Sequence, residues 1–261
     1  MEKRMTAFQL KVIGISLMVF DHIHQLFYLK GIPMWFTMLG RIVAPIFLFL
    51  SAEGYHYTKN KIKYLRNLLL GFWLMGLVDW IVPTLLPNEN IVLANNIFGT
   101  LFLGVLAMYC YDSIKNSKQD KKQGFIGIGI ILFVLAYSAY FFNLLSDPDN
   151  FNVTLFRILS IIFPTLVTTE GGFVLVLLAL FFYIFREKRT VQIVVLLLVS
   201  VVATGFNFTG LFTTNIQWMM AFSAIFIWLY NGKEGKKMKW FFYYFYPVHI
   251  AILYIFATLM G

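Results

Sequence analysis

The sequence predicts an all-α fold, a polytopic membrane helical bundle with about nine to ten transmembrane helices and one segment that could be re-entrant. Of its 261 residues, 60% are apolar and 13% are charged, whereas a soluble domain is about half apolar and carries roughly twice that share of charge. Apolar runs of about 20 residues, each long enough to cross a bilayer as a helix, recur from end to end. Residues 1–261 are therefore expected to form a single integral-membrane domain.

The apolar runs define nine candidate spans. The first run has none of the features of a cleavable signal peptide, and we expect it to remain as a transmembrane helix. The spans are about 8–29, 34–57, 62–82, 91–112, 124–144, 172–185, 190–206, 214–231 and 239–260.

The charged loops predict the orientation of these spans. Basic residues cluster at 3–4, 59–63, 115–122, 186–189 and 233–239, and cytoplasmic loops are the ones enriched in Lys and Arg. All five clusters can be cytoplasmic only if segment 151–170, which contains Arg157 and Pro164, does not cross the membrane. We interpret it as a re-entrant or interfacial helix on the outer side. The N-terminus is then cytoplasmic and the C-terminus outside; ten full spans are the alternative and place 186–189 outside.

Composition also argues against several functional classes. The net charge of +9 lies in short loops between spans, which favours membrane orientation over nucleic-acid binding, although the same loops could attract an anionic cofactor. One Cys and four His residues exclude an intramolecular disulfide and make a metal site improbable. No internal repeat supports an inverted-repeat transporter.

Asp21 and His22 are a costly pair at membrane depth in the first span. Ionisable residues there are functional candidates by default, and histidine can carry a proton near neutral pH. On a helix, Lys11 and His22 share one face, roughly 16 Å apart along the axis. Asp21 points about 100° away from His22 and is better placed to pair with His24 or Gln25. The alternative interpretation is that Asp21 and His22 only hydrogen-bond between helices.

Further polar residues lie in the second and last spans. Arg41 precedes Pro45, whose missing amide frees a backbone carbonyl one turn back; the alternative is an interfacial arginine that reaches the outer surface. Glu53 could neutralise Lys11 or the loop lysines. Tyr246-Pro247-Val248-His249 places a proline kink and a histidine near the middle of the last span, where His249 lines the site or packs between helices.

Several of these motifs resemble the TraX family. The resemblance rests on Leu10-Lys11-Val12-Ile13-Gly14 leading to Met18-Val19-Phe20-Asp21-His22-Ile23, on the segment 40–49 followed by Ala52-Glu53-Gly54-Tyr55 and Thr58-Lys59-Asn60, and on the terminal 246–249. The motifs span most of the chain in order, but the central part, about 110–235, is similar only in hydropathy. TraX-like proteins are named for an inner-membrane enzyme that acetylates conjugative pilin, and they resemble the acyltransferase 3 family.

The resemblance implies an acetyl-CoA-dependent transmembrane acyltransferase in the bacterial inner membrane. It implies that His22 is the catalytic base, that Lys11 lies near the acyl-CoA path, and that there are about ten helices. The expected partners are acyl-CoA, membrane lipids and an acceptor, either a peptide amine or an envelope glycan hydroxyl.

The mechanism that the resemblance implies starts with the cytoplasmic loops. Lys59, Lys61 and Lys63, with Glu53 beside them, would hold the anionic head of acyl-CoA. The thioester would reach His22, which would take the acceptor's proton or carry the acyl group covalently. The hydrogen-bond donor that stabilises the thioester oxyanion would be Arg41, Tyr246 or His249.

Two other classes remain open at this stage. One is a proton-coupled transporter or channel with Asp21, His22, Arg41 and His249 along a polar path. The other is a non-catalytic membrane partner that assembles with other proteins. Acyl-CoA binding and release of free CoA would distinguish the enzyme from both.

Overall fold

The computed structural model describes residues 4–147 and 151–260, and the regular secondary structure of this part is helical apart from one isolated bridge between Met5 and Tyr230. Lys3 and the Pro148-Asp149 part of a predicted loop lie outside the described residues. The α-helices are α1 (Ala7–Phe27), α2 (Trp35–Gly40), α3 (Val43–Tyr57), α4 (Lys61–Leu85), α5 (Ile97–Lys115), α6 (Lys121–Ser146), α7 (Val153–Ile162), α8 (Gly172–Ile184), α9 (Arg189–Val202), α10 (Ser223–Leu229) and α11 (Lys239–Leu259).

Helix α1 begins at a capping box. The Thr6 hydroxyl accepts from the Gln9 amide at 3.3 Å, and the Thr6 amide donates to the Gln9 side chain at 2.8 Å. These reciprocal bonds satisfy amide groups that have no partner within the helix. The buried residues then follow at intervals of three or four, and the row ends with Gly14, Met18, His22 and Leu26.

The second predicted span, 34–57, is broken into α2 and α3 at Arg41-Ile42. Pro45 lies in the first turn of α3, where a proline is tolerated, but it cannot bond to the carbonyl of Arg41 one turn earlier. Arg41 keeps helical backbone angles, φ −61° and ψ −23°, and the amides of Arg41 and Ile42 bond to carbonyls three residues earlier, so the chain continues from α2 into α3 through a tightened turn.

Six helical segments in the described chain are long and apolar enough to cross a membrane, in agreement with a polytopic bundle. They are Ala7–Lys30, Trp35–Tyr57, Lys61–Leu85, Ile97–Lys118, Lys121–Ser146 and Lys239–Leu259.

The other three of the nine predicted spans fall on shorter helices. Spans 172–185 and 190–206 become α8 and α9, of 13 and 14 residues, and span 214–231 becomes a 3-10 turn followed by α10. Helix α9 stops at Val202 because Gly205 and Phe206 adopt positive φ angles of 62° and 57°.

Segment 151–170 contains the short helix α7, of 10 residues, capped by Asn152 and followed by turns. Ten residues extend about 15 Å, half of a hydrocarbon core of roughly 30 Å. The segment is therefore too short to cross as one straight helix, as the re-entrant or interfacial interpretation requires.

The chain divides into two compact units, Met1–Leu50 with Val78–Ala94 and Phe185–Gly261, and Ser51–Leu77 with Asn95–Ile184. In the first unit, α1 packs against α2 and α11, and α9 packs against α10. In the second unit, α5 packs against α6 and α8. The N-terminal turns of α5 are buried on all sides, as expected of a helix in the middle of a bundle. The single-domain expectation for 1–261 stays a prediction.

Candidate functional site

Two histidines from α1 and α11 meet in the interior of the first unit. Nδ1 of His22 lies 2.7 Å from Nε2 of His249, and the two rings stack with centroids 5.0 Å apart. The two residues are only 5% and 9% exposed. The sequence predicted each histidine as a candidate separately, and the structure places them in direct contact.

Aromatic residues of α11 surround the histidine pair. The Phe245 ring stacks on His249 with centroids 4.7 Å apart, and the rings of His249 and His22 are nearly parallel, at 24°. The Tyr246 ring contacts His22 and His249 edge-on, with centroids 5.9 and 5.7 Å away. The predicted site residue Tyr246 is therefore beside the reactive candidate, and the stacked rings fix the imidazole planes.

Asp21, the neighbour of His22, forms an ion pair across helices. Nη2 of Arg41 donates to both carboxylate oxygens of Asp21, at 2.9 and 3.1 Å. The Thr37 hydroxyl donates to the same carboxylate at 2.5 Å. The structure therefore pairs Asp21 with Arg41 across helices, whereas local helical spacing alone pointed to His24 or Gln25.

Arg41 is held on three sides. Its Nε donates to the carbonyl of Thr37 at 3.3 Å, and its Nη1 donates to the side chain of Gln217 at 3.4 Å. Its positive charge also acts on the ring of His22. Arg41 is thus a partly exposed residue whose guanidinium is fixed by hydrogen bonds within the unit.

Gly40 makes the ion pair sterically possible. A Cβ at this position would overlap the Asp21 carboxylate, so α1 and α2 approach closely only because residue 40 has no side chain. Gly14 has a similar role, because its Cβ would lie 2.7 Å from the ring of Phe47. The close approach brings the Asp21 carboxylate within reach of the α2 donors.

Lys11, the predicted residue on the acyl-CoA path, is half-buried near the start of α1. Its ammonium lies 5.6 Å from the centroid of the Phe242 ring and interacts electrostatically with Glu234 and Lys239. It lies toward the N-terminal end of the helix that carries His22, as its spacing predicted.

The other residues predicted to bind the cofactor belong to the second unit. The Lys61 ammonium donates to the carbonyls of Tyr55 and His56 and lies 4.2 Å from the Tyr55 ring centroid. Lys59 and Lys63 are exposed and Glu53 is half-buried. Lys61 therefore ties the end of α3 to the start of α4, which is a structural task that the charge pattern did not predict.

Sequence reasoning missed several polar residues. Thr37 and Gln217 complete the Arg41 cluster, and their uncharged side chains gave no signal at membrane depth. In the second unit, the Asp112 carboxylate accepts from the hydroxyl of Tyr55 at 3.0 Å and from that of Tyr183 at 2.8 Å. Asp112 could have been found by the argument applied to Asp21, since it also ends an apolar run.

Comparisons with known proteins show the family of this chain. The family model described as TraX protein matches residues 7–257. The chain belongs to the TraX family. A probable fimbrial assembly protein FimC, serogroup H1, from Dichelobacter nodosus is 25% identical over 258 residues, covering 95% of this chain and 94% of that protein.

No solved structure shows significant similarity to this TraX family chain. The match to the family model starts at the first residue of α1 and ends in the last turn of α11. It therefore includes both helices that supply the histidine pair.

Proposed function

We propose that this chain is a membrane-embedded acyltransferase that moves an acetyl group from cytoplasmic acetyl-CoA to an acceptor at the membrane or on its outer side. The observation that carries the proposal is the buried pair of His22 and His249 within 2.7 Å, on two membrane-length helices. Ionisable groups at this depth mark functional sites. Membership of the TraX family supports a transferase.

The name of the relative favours a protein acceptor. That protein is described as acting in fimbrial assembly, and a fimbrial subunit is an exported chain whose terminal amine can be acetylated. We therefore propose a pilin amine as the first acceptor to test, with an envelope glycan hydroxyl as the second. We place the N-terminus in the cytoplasm because the loops at 59–63, 115–122 and 233–239 are basic, and membership of the TraX family supports the bacterial inner membrane as the location.

The proposed reaction is a direct acyl transfer. The acceptor nitrogen or oxygen attacks the thioester carbonyl while an imidazole nitrogen of His22 takes its proton. The tetrahedral intermediate collapses with cleavage of the carbon–sulfur bond, and the departing thiolate takes the proton from His22. The products are the acetylated acceptor and free CoA, and His22 returns to its starting state.

The geometry narrows the choice of oxyanion donors. Both ring nitrogens of His249 are within hydrogen-bond distance of protein atoms, His22 and the Phe245 carbonyl. We therefore propose Tyr246, whose ring contacts His22, as the donor to the oxyanion, with Arg41 supplying positive charge nearby. Asp21 fixes the orientation of Arg41 through two hydrogen bonds.

The donor head is proposed to be held by basic residues. Lys11 lies on the helix of His22, roughly three turns away, and would attract the phosphates of an acetyl-CoA whose extended arm lies along that helix. Lys59 and Lys63 are exposed and can attract the same anion in solution. Lys61 is already bonded to two carbonyls, and Glu53 is proposed only to balance the charge of the lysines.

The proposal is tested with purified protein, labelled acetyl-CoA and acceptor from native membranes. A His22→Ala variant should lose CoA release by at least about 100-fold, the lower end of what a general base supplies. The matched control is His24→Ala, which removes a half-buried histidine two residues away on the same helix and should keep full activity. CoA release that does not depend on His22 would refute the proposal, as would proton flux in vesicles without any CoA release.

A further inference from the structure

The hydrogen bonds of His249 determine where its proton lies. Nδ1 of His249 is 2.8 Å from the carbonyl oxygen of Phe245, one turn earlier in α11. A carbonyl oxygen can only accept, so Nδ1 carries the hydrogen. In a neutral imidazole the second nitrogen then has a lone pair, and Nε2 of His249 is an acceptor.

The same reasoning extends to His22. Its Nδ1 is 2.7 Å from Nε2 of His249, and because that nitrogen accepts, Nδ1 of His22 must donate. Nε2 of His22 is left with the lone pair. The opposite arrangement needs a cationic His249, and a buried cation requires a counter-charge. Arg41, between α2 and α3, acts on the ring of His22 with a positive charge, which disfavours a second cation in the pair.

We propose that His249 is a positioning residue that holds His22 as the Nδ1–H tautomer and so makes Nε2 of His22 the atom that accepts the proton. The inference rests on the proposed function for the role of His22, but the tautomer itself follows from the geometry. The chain from the Phe245 carbonyl through His249 to His22 acts as the orienting partner of a catalytic histidine, with a neutral imidazole in the place of a carboxylate.

The packing supports this role. The rings of His22 and His249 are nearly parallel, at 24°, and the Phe245 ring stacks on His249 at 16°. Phe245 supplies both the carbonyl and the stacked ring, so contacts within α11 alone fix the position and the rotation of the His249 ring. His22 therefore meets an acceptor of defined direction.

The first experiment measures the tautomer directly by nitrogen NMR of histidine-labelled protein in lipid vesicles. The chain has four histidines, so a background with His24→Asn and His56→Asn leaves only the pair, and both changes lie outside the proposed site. We expect His22 to be protonated at Nδ1. In His249→Leu, which fills much of the space but cannot accept, we expect a mixture of tautomers, and His249→Gln, whose carbonyl can accept, should restore the Nδ1–H form.

The second experiment measures turnover in the same variants. His249→Leu should lower kcat by about 100-fold because His22 is no longer oriented as a base, with KM for acetyl-CoA unchanged, and His249→Gln should recover most of kcat. A purely structural residue would not give a tautomer change that follows kcat across the variants.

The outcomes separate this inference from the proposed function. Finding His22 protonated at Nε2 in the unmodified protein, or unchanged kcat in His249→Leu, overturns the positioning role. If His22→Ala releases CoA normally while the tautomer follows His249 as expected, the proposed base fails, and the tautomer assignment stands.

Discussion

The Asp21–Arg41 ion pair provides the sharpest energetic test of the structure. Its two charges approach to 2.9 Å, with side chains 17% and 30% exposed. At an effective dielectric constant of about 20 the attraction is roughly 6 kcal/mol. Solvent screens both partly exposed side chains, and each single variant rearranges around the charge that remains, so the coupling we expect is about 2 kcal/mol.

The coupling is measured by a double-mutant cycle with Asp21→Asn, Arg41→Gln and the double variant. The free energy of unfolding is determined for each in mixed micelles. Either single change leaves a partly buried charge without its partner and should destabilise the protein by about 3 kcal/mol. The double variant should be less destabilised than the sum of the single variants, and the difference is the coupling energy.

The matched control is the pair of Arg186 and Glu187. It has the same N–O distance of 2.9 Å and an arginine of similar exposure, 28%, but its carboxylate is 82% exposed. Solvent screening should reduce its coupling to about 0.5 kcal/mol. Equal coupling energies in the two cycles would refute the argument that burial between α1 and α2 makes the Asp21–Arg41 pair strong.

Two further predictions concern close packing and the second polar cluster. Gly40→Ala should destabilise the protein by about 1–3 kcal/mol, because the added methyl group overlaps the Asp21 carboxylate. Gly129→Ala is the control, because a methyl group there meets open space and should stabilise the helix by about 0.5–1 kcal/mol. Thermal unfolding in micelles measures both variants, and equal shifts in unfolding temperature would contradict the close packing at Gly40. Asp112→Asn should lower the free energy of unfolding by about 2 kcal/mol, because two tyrosine hydroxyls donate to that carboxylate. Asp120→Asn, at an exposed helix cap, should be nearly neutral. Denaturant unfolding measures both variants, and equal losses of stability would contradict the role assigned to Asp112.

Much of the fold could be predicted from the sequence because the bilayer constrains it. An apolar run of about 20 residues has few alternatives to a helix, and the boundaries of α1 and α11 lie close to the predicted 8–29 and 239–260. The unpaired position at the Arg41 carbonyl also had a local cause in the sequence, since Pro45 has no amide to bond to it, but the division of span 34–57 into α2 and α3 was not predicted.

The shorter helices could not be predicted in the same way. Helices α8, α9 and α10 come from apolar segments whose hydropathy is similar to that of a span. Their lengths depend on turns such as the one at Gly205 and Phe206, where φ is positive. Hydropathy measures the preference of side chains for an apolar environment, and it does not report where the backbone turns.

The candidate site shows the same division. Single residues were identifiable, because Asp21, His22, Arg41 and His249 are each costly in an apolar run. The partners of these residues were not identifiable, because local spacing relates only residues within a few turns of one helix. Helices α1 and α11, for example, are more than 200 residues apart in the chain. Thr37 and Gln217 gave no signal because an uncharged polar side chain is common in membrane helices.

By itself, the sequence determined that this protein is a helical membrane bundle, which residues carry its unusual charges, and which family it resembles. The reason is that the free-energy cost of placing a charge, or a backbone amide without a hydrogen bond, in a bilayer depends on local chemistry, which the sequence contains. Only the tertiary structure decided that His249 bonds to His22, that Arg41 bonds to Asp21, and therefore which nitrogen of His22 carries the lone pair. Those facts depend on the direction of hydrogen bonds between distant helices, and packing alone sets that direction.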